Sequence, residues 1–175
     1  VVGTTAAINN KAKGQQYFIE AMSKLKKYNI RYELVGSGDS NYLRSCALKN
    51  GVADRVVFKG QMKHQQVLEW IDSLDIYIQP SMQEGLPRAL IEAMSRACPA
   101  IGSSTGGIPE LLPSDAIFKR GNVDSLIKTF KTIIESDLDA KAKVNFNKAK
   151  EYELEKLNSR RNVVYEQFKN YIINE

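Results

Sequence analysis

Cysteine is scarce in this 175-residue chain: Cys46 and Cys98 stand far apart. Two such residues make neither a disulfide framework nor a metal-ligand spacing, and a reducing cytosol is the simplest compartment for them. Histidine is scarcer still. His64, between Lys63 and Gln65 at a helix start, reads as an exposed polar residue before it reads as a general base. No Cys/His/carboxylate cluster accompanies it, so no metal site is expected, and no Ser-His-Asp motif is present. Long apolar runs are missing too. The apolar stretches are too short, or too broken by charge, to span a membrane, and no signal peptide is visible. Trp70 and the tyrosines at 17, 28, 32, 42, 77, 152, 165 and 171 are scattered, with no stacking platform beside a basic stripe, which argues against a nucleic-acid partner. Repeats, low-complexity tracts and internal linkers are absent, which leaves one domain over residues 1–175. An initiator Met is absent as well. The chain opens on Val1-Val2-Gly3, which reads as a strand, and a longer protein with its missing part upstream is expected.

What is present is a globular composition, 43% hydrophobic and 26% charged, enough for a sizeable core. The net charge of +5 suits a phosphorylated ligand, an anionic surface or merely a mildly basic protein. Short apolar runs alternate with segments of helical period. Strands are expected at Val1–Ala6, Arg31–Val35, Arg55–Phe58, Asp75–Gln79, Ala100–Ser103 and Ala116–Lys119. Helices are expected at Gln15–Tyr28, Asn41–Asn50, Gln65–Ser73, Pro87–Ala97, from Gly106-Gly107 to Leu112, at Val123–Ile134, and over most of Asp139–Ile173. Strands alternating with helices predict a doubly wound α/β fold with a parallel sheet and right-handed crossovers. Ligands of such sheets bind beyond the carboxyl ends of the strands.

The segment Pro80–Met94 is the most informative. Gly85 lets backbone approach a ligand, and Pro87 suits the first turn of a helix. The helix start then offers free N–H groups and the positive end of a dipole, a physical basis for a diphosphate site. Glu84 lies just before this start and Glu92 eight residues later, about 8–12 Å along the axis. Carboxylates repel phosphate but accept from hydroxyls, so the pattern suits a sugar on one side and a ribose on the other. Spacing alone also fits ordinary helix-start and surface charge. Lys13, after the first strand, can neutralise phosphate as a point charge, or simply be solvated like others of the 25 Lys and Arg residues. Gly36-Ser37-Gly38 is a tight turn first and a ligand neighbour second, and Ser104-Thr105-Gly106-Gly107 hosts phosphate or turns the chain.

In order, these segments resemble the C-terminal half of GT-B glycosyltransferases of the group 1 retaining family. The resemblance runs through Lys13-Gly14, Leu34-Val35-Gly36-Ser37-Gly38, Val57-Phe58-Lys59-Gly60, Asp75 to Ser81, Glu84-Gly85-Leu86-Pro87, Leu90 to Met94 and Gly106 to Glu110. The E-x7-E pattern from Glu84 to Glu92 is that family's hallmark. The resemblance implies a Rossmann-like fold and transfer of a hexose-type sugar, from a UDP- or GDP-sugar, to a glycan or lipid-linked acceptor held by an N-terminal domain outside this chain. It implies no metal, a cytoplasmic setting with peripheral association at the inner membrane face, and an isolated domain that transfers nothing. Lys13 would stabilise the diphosphate, beside Gly14 and Arg88. Glu84, with the backbone of Gly85 and Leu86 before Pro87, would position the sugar. Ala89 and Leu90 would give backbone contacts near phosphate and ribose, Glu92 would take the ribose hydroxyls, Gln61 and Met62 would border the base, and Gly36 would lie near the donor.

Two departures stand out. Many family members carry an Arg shortly before the lysine; here the stretch is Ala6-Ala7-Ile8-Asn9-Asn10, with Lys11 or Arg88 as substitutes. Cys98 stands where the family often has Gly, which would alter packing rather than chemistry. A GT-B nucleotide-sugar epimerase and a non-catalytic nucleotide-binding or scaffold module are the alternatives. Leu157, Val164, Phe168 and Tyr171 share a helical face, to be packed on the domain's own sheet or left open for the other domain.

Overall fold

The computed structural model describes residues 1–173. Six strands form one sheet: β1 (Val2–Thr5), β2 (Tyr32–Val35), β3 (Val56–Gly60), β4 (Ile76–Gln79), β5 (Ala100–Ser103) and β6 (Ile117–Phe118). Their order is β3-β2-β1-β4-β5-β6, every pair parallel. Among the described residues eight α-helices connect and flank them: α1 (Gln15–Lys24), α2 (Asn41–Lys49), α3 (His64–Ile71), α4 (Arg88–Ser95), α5 (Ile108–Leu111), α6 (Val123–Ile134), α7 (Leu138–Ala149) and α8 (Leu154–Ile173). This is the doubly wound Rossmann-like order, and it reverses between β1 and β4. The crevice at that reversal is where a ligand has room between diverging crossovers.

Parallel strands covered on both faces read as continuous apolar runs, and β2, β4 and β5 are buried along their whole length. On one side Phe18 of α1 meets Tyr32 edge-on at 4.7 Å and Phe130 of α6 at 5.5 Å. On the other, Gly3 makes room for α3 and the turn after it: a Cβ there would sit 2.4 Å from Leu74 and 2.7 Å from Trp70. Trp70 also donates its indole N–H to buried Glu33, 2.7 Å away, and Arg31 pairs with the same carboxylate at 3.0 Å. No described helix is long and apolar enough to cross a membrane.

The differences from the sequence expectation lie at element ends. α1 stops at Lys24 rather than Tyr28, because the amides of Leu25 and Tyr28 fold back in tight turns onto Met22 and Leu25. α4 begins at Arg88, with Pro87 as its cap rather than its first residue. The long C-terminal helical stretch is broken by a 3-10 turn at Lys150–Tyr152, and α7 starts one residue early under the Asp137 side chain, which accepts from the Ala140 amide. The shared face of α8 does not pack on the sheet: Val164, Phe168 and Tyr171 are all exposed, and Leu157 is only half-buried.

Candidate functional site

The loop after β1 carries Lys13, and its path is fixed by backbone chemistry. Asn10 caps the turn Lys11–Lys13, accepting from the Ala12 amide at 3.0 Å. Gly14 then takes a left-handed φ of +73° directly under the β4–α4 loop, where a Cβ would lie 1.9 Å from the Pro80 carbonyl oxygen. Met82 N–H donates to the Ala12 carbonyl at 2.7 Å. The lysine loop is thereby stitched to the segment that carries Glu84, and the Lys13 ammonium donates to Glu84 Oε1 at 2.8 Å.

Glu84 is held from three directions on that one oxygen: by Lys13, by Ser81 Oγ at 2.8 Å and by Gln79 Nε2 at 3.0 Å. The loop around it rests on the β5–α5 turn. Gly106 has φ +54°, and a Cβ there would be 2.1 Å from the Glu84 carbonyl oxygen, while Gly107 N–H donates to Gly85 O at 2.8 Å. The Ser104–Gly107 segment thus turns the chain and supports Glu84–Gly85. Ser103 Oγ adds a bond to Ser81 O at 2.5 Å. Beneath Glu84, burial pushes the Tyr77 phenol above its ordinary value, and the carboxylates of Glu92 and Glu84 add to that effect.

α4 rises from this loop with its apolar face, Leu90, Ala93 and Met94, in the core. Pro87 offers no side-chain cap, so the first-turn amides of Arg88 and Ala89 have no helical acceptor before them. The Leu90 amide differs: it is already bonded to Pro87 O at 3.1 Å. A cleft of about 560 Å³ lies over this helix start and the ends of β1 and β4. Lys13, Glu84, Leu86, Pro87, Arg88, Ala89 and Glu92 all line it.

The remaining expected residues stand around the cleft. Gly14 is buried under Pro80, and Gly36 packs against the Ala6 carbonyl, whose residue does line the cleft. Gly85 is exposed between two lining residues, and a Cβ on it would meet nothing within 4 Å. Leu90 points into the core, and Gln61 and Met62 lie in the β3–α3 loop outside the cleft wall. Of the two substitutes for the absent arginine, Arg88 lines the cleft, whereas Lys11 stacks its ammonium 4.4 Å over the Tyr42 ring and does not. Thr5, Ala6 and Gln79, which the sequence does not single out as site residues, line the cleft, and His64, exposed as expected, stands at its wall as well. The signal for Gln79 was a lone amide closing an otherwise apolar strand, Ile76–Gln79.

Residues 4–152 match the family model described as glycosyl transferases group 1. The chain belongs to that family. Among curated relatives, it is similar to Protein CapJ of Staphylococcus aureus, 37% identical over 119 residues, which covers 66% of this chain and 30% of that protein. The gpi3 subunit of the phosphatidylinositol N-acetylglucosaminyltransferase of Schizosaccharomyces pombe is 34% identical over 116 residues, covering 65% of this chain and 25% of that protein. The matched region is therefore a third or less of these relatives. Among solved structures, sucrose-phosphate synthase from Thermosynechococcus elongatus superposes with a TM-score of 0.85 at 19% identity, covering 97% of this chain and 46% of that one. Anabaena Alr3699/HepE in complex with UDP superposes at 0.80 and 20% identity, covering 96% and 48%. At these identities the superpositions speak for the fold alone, and they agree with the Rossmann-like α/β class.

Proposed function

We propose that this group 1 glycosyltransferase domain is the donor-binding half of a retaining hexosyltransferase. The observation that carries the reading is one cleft, at the reversal of strand order, lined together by a lysine, a helix start without a side-chain cap and two carboxylates. The diphosphate of a UDP- or GDP-sugar would sit on the α4 amides with Lys13 and Arg88. Orphan N–H groups, the helix dipole and two cations oppose the charge that develops as the glycosidic bond breaks. Glu84 would accept from the sugar hydroxyls and Glu92 from the ribose. The base would extend toward the loop carrying Gln61 and Met62, past His64. No metal takes part in this scheme. Glu84 positions the sugar while the acceptor attacks from the leaving-group face, so retention needs no protein nucleophile. That Anabaena HepE is solved with UDP, and also with UDP-glucose, supports a nucleotide sugar as ligand. The acceptor, a glycan or lipid-linked sugar, would be held by a second domain at the cytoplasmic membrane face, and this domain alone would bind donor without transferring it.

The ion pair between Lys13 and Glu84 adds a condition. A diphosphate must share the Lys13 ammonium with the carboxylate or draw it away, since one cation serves both. Titration with UDP, UDP-glucose, GDP and GDP-mannose tests the reading. At least one nucleotide sugar should bind, and Glu92→Ala should weaken it about tenfold, the scale of a lost hydrogen bond to a charged group. A folded protein that binds none of the four would sink the donor-site reading.

A further inference from the structure

Gln79 ends β4 almost fully buried, at 2% exposure, on a strand whose other residues are Ile76, Tyr77 and Ile78. A buried amide is costly unless bonded, and this one uses each of its groups. Its two N–H bonds go to Ser81 Oγ at 2.9 Å and Glu84 Oε1 at 3.0 Å, and its oxygen accepts from the Tyr77 hydroxyl at 3.1 Å. Tyr77 in turn accepts from the Thr5 amide at 3.3 Å, so a line of hydrogen bonds runs from the backbone of β1 to the Glu84 carboxylate. Turned over, the Gln79 amide would set its carbonyl oxygen against that carboxylate; the charge therefore fixes its orientation. All three donors to Glu84 converge on Oε1, and among the described residues Oε2 has no partner.

The three donors are not equivalent. Lys13 is a flexible, partly exposed cation that a diphosphate can draw away. Gln79 and Ser81 are buried and neutral, and have no such competitor. Resting on the donor-site reading above, we propose that Gln79 is a positioning residue for the donor sugar. It saturates one oxygen of Glu84 from below and commits the other, on a side chain that lines the cleft, to the sugar hydroxyls. The consequence is specific. Gln79 governs how much the sugar adds to binding, and leaves the hold on the nucleotide and diphosphate untouched.

The test compares a nucleotide sugar with its own bare nucleotide by calorimetric titration of this chain, using UDP-glucose against UDP and GDP-mannose against GDP. The quantity read is the ratio of the two dissociation constants. Gln79→Met keeps the volume and removes the donor. It should leave nucleotide affinity within about twofold, while the ratio shifts about tenfold against the sugar form. Gln79→Glu sets a second carboxyl beside Glu84, and two such groups share a proton at a raised pKa. Its ratio should be as poor as that of Gln79→Met at pH 8 and recover toward pH 5.5, where the shared proton restores a donor. A packing role would give no such recovery. An unchanged ratio in a folded Gln79→Met variant overturns the proposal, and so does an equal loss of both ligands. Wild-type protein that binds bare nucleotide but no sugar form overturns it too, and leaves a nucleotide site standing. Wild-type protein that binds neither brings down the donor-site reading itself.

Discussion

At the scale of single residues, the structure moves a glycine-like position by one. The resemblance placed the family glycine at Cys98, but the backbone that favours glycine is at Ala97, with φ +54°. α4 closes there with the Ala97 amide on Met94 O at 3.0 Å and the Cys98 amide on Ala93 O at 3.1 Å, the paired bonds of a helix end that normally turns on glycine. Alanine pays a steric penalty in that conformation. Ala97→Gly should therefore stabilise the domain by about 1 kcal/mol, a rise in Tm of roughly 2–4 °C for a chain of this size. A thermal melt checks it, and an unchanged or lowered Tm would count against the assigned strain. Cys98 has a packing role instead: it is buried at 4% exposure, and burial pushes its thiol up to about 12. The packing role of Cys98 agrees with the sequence expectation, but the strain at Ala97 was not visible there, because φ depends on where a helix stops, and Ala97-Cys98-Pro99 fits several stops. The same limit hid Gln79, whose partners are decided by the convergence of loops. Lys13 and Glu84, 71 positions apart, were brought to one site by the family resemblance, each in the loop after a recognisable strand, but the ion pair between them was not foreseen.

At the scale of elements, the strands and their parallel, doubly wound arrangement were legible, while their order and the turns were not. Fully buried parallel strands leave an unbroken apolar signature, so β1, β2, β4 and β5 fall within the expected ranges. Helix ends carry a weaker signal, as the early end of α1 shows. The turns matter more for the site, and the β5–α5 turn is the example. From its sequence it either hosts phosphate or bends the chain. In three dimensions Gly106 presses against the Glu84 carbonyl, so the turn sets the height of the Glu84 loop over the cleft. A Cβ at Gly106 meets backbone, which cannot swing aside as a side chain can, and it also meets a left-handed φ. Gly106→Ala should cost more than about 2 kcal/mol and should weaken nucleotide-sugar binding. Gly51 is the control: its φ is +65°, but a Cβ there would meet nothing within 4 Å. Gly51→Ala should carry only the conformational penalty, about 1 kcal/mol, with affinity unchanged. Denaturant titrations of both variants, paired with one donor titration each, separate these outcomes. Equal costs would mean that the contact between the two loops contributes nothing.

At the scale of the molecule, the folded core and the matched family region end together. The family match stops at Tyr152, which still packs partly against the core, and beyond it every side chain from Leu154 to Ile172 except Leu157 is exposed. α8 nevertheless carries large apolar residues, with Leu154 70%, Tyr165 64% and Phe168 62% exposed. Apolar area stabilises a fold only if it leaves water on folding, and this area does not. The helical period of Leu157, Val164, Phe168 and Tyr171 was correctly read as a face; what sequence alone could not supply was the surface it covers, because period reports amphipathicity and not a partner. The sheet, the cleft and the Glu84 network all lie before this helix. Ending the chain at Glu153 should therefore leave Tm within about 2 °C, equivalent to less than about 1 kcal/mol, with donor affinity unchanged. The shortened chain should also bind less of a hydrophobic dye, since the exposed apolar stripe leaves with α8. A fall in Tm well beyond that range, or a broadened transition, would mean that α8 closes over the domain in solution and that its apolar face belongs to the core.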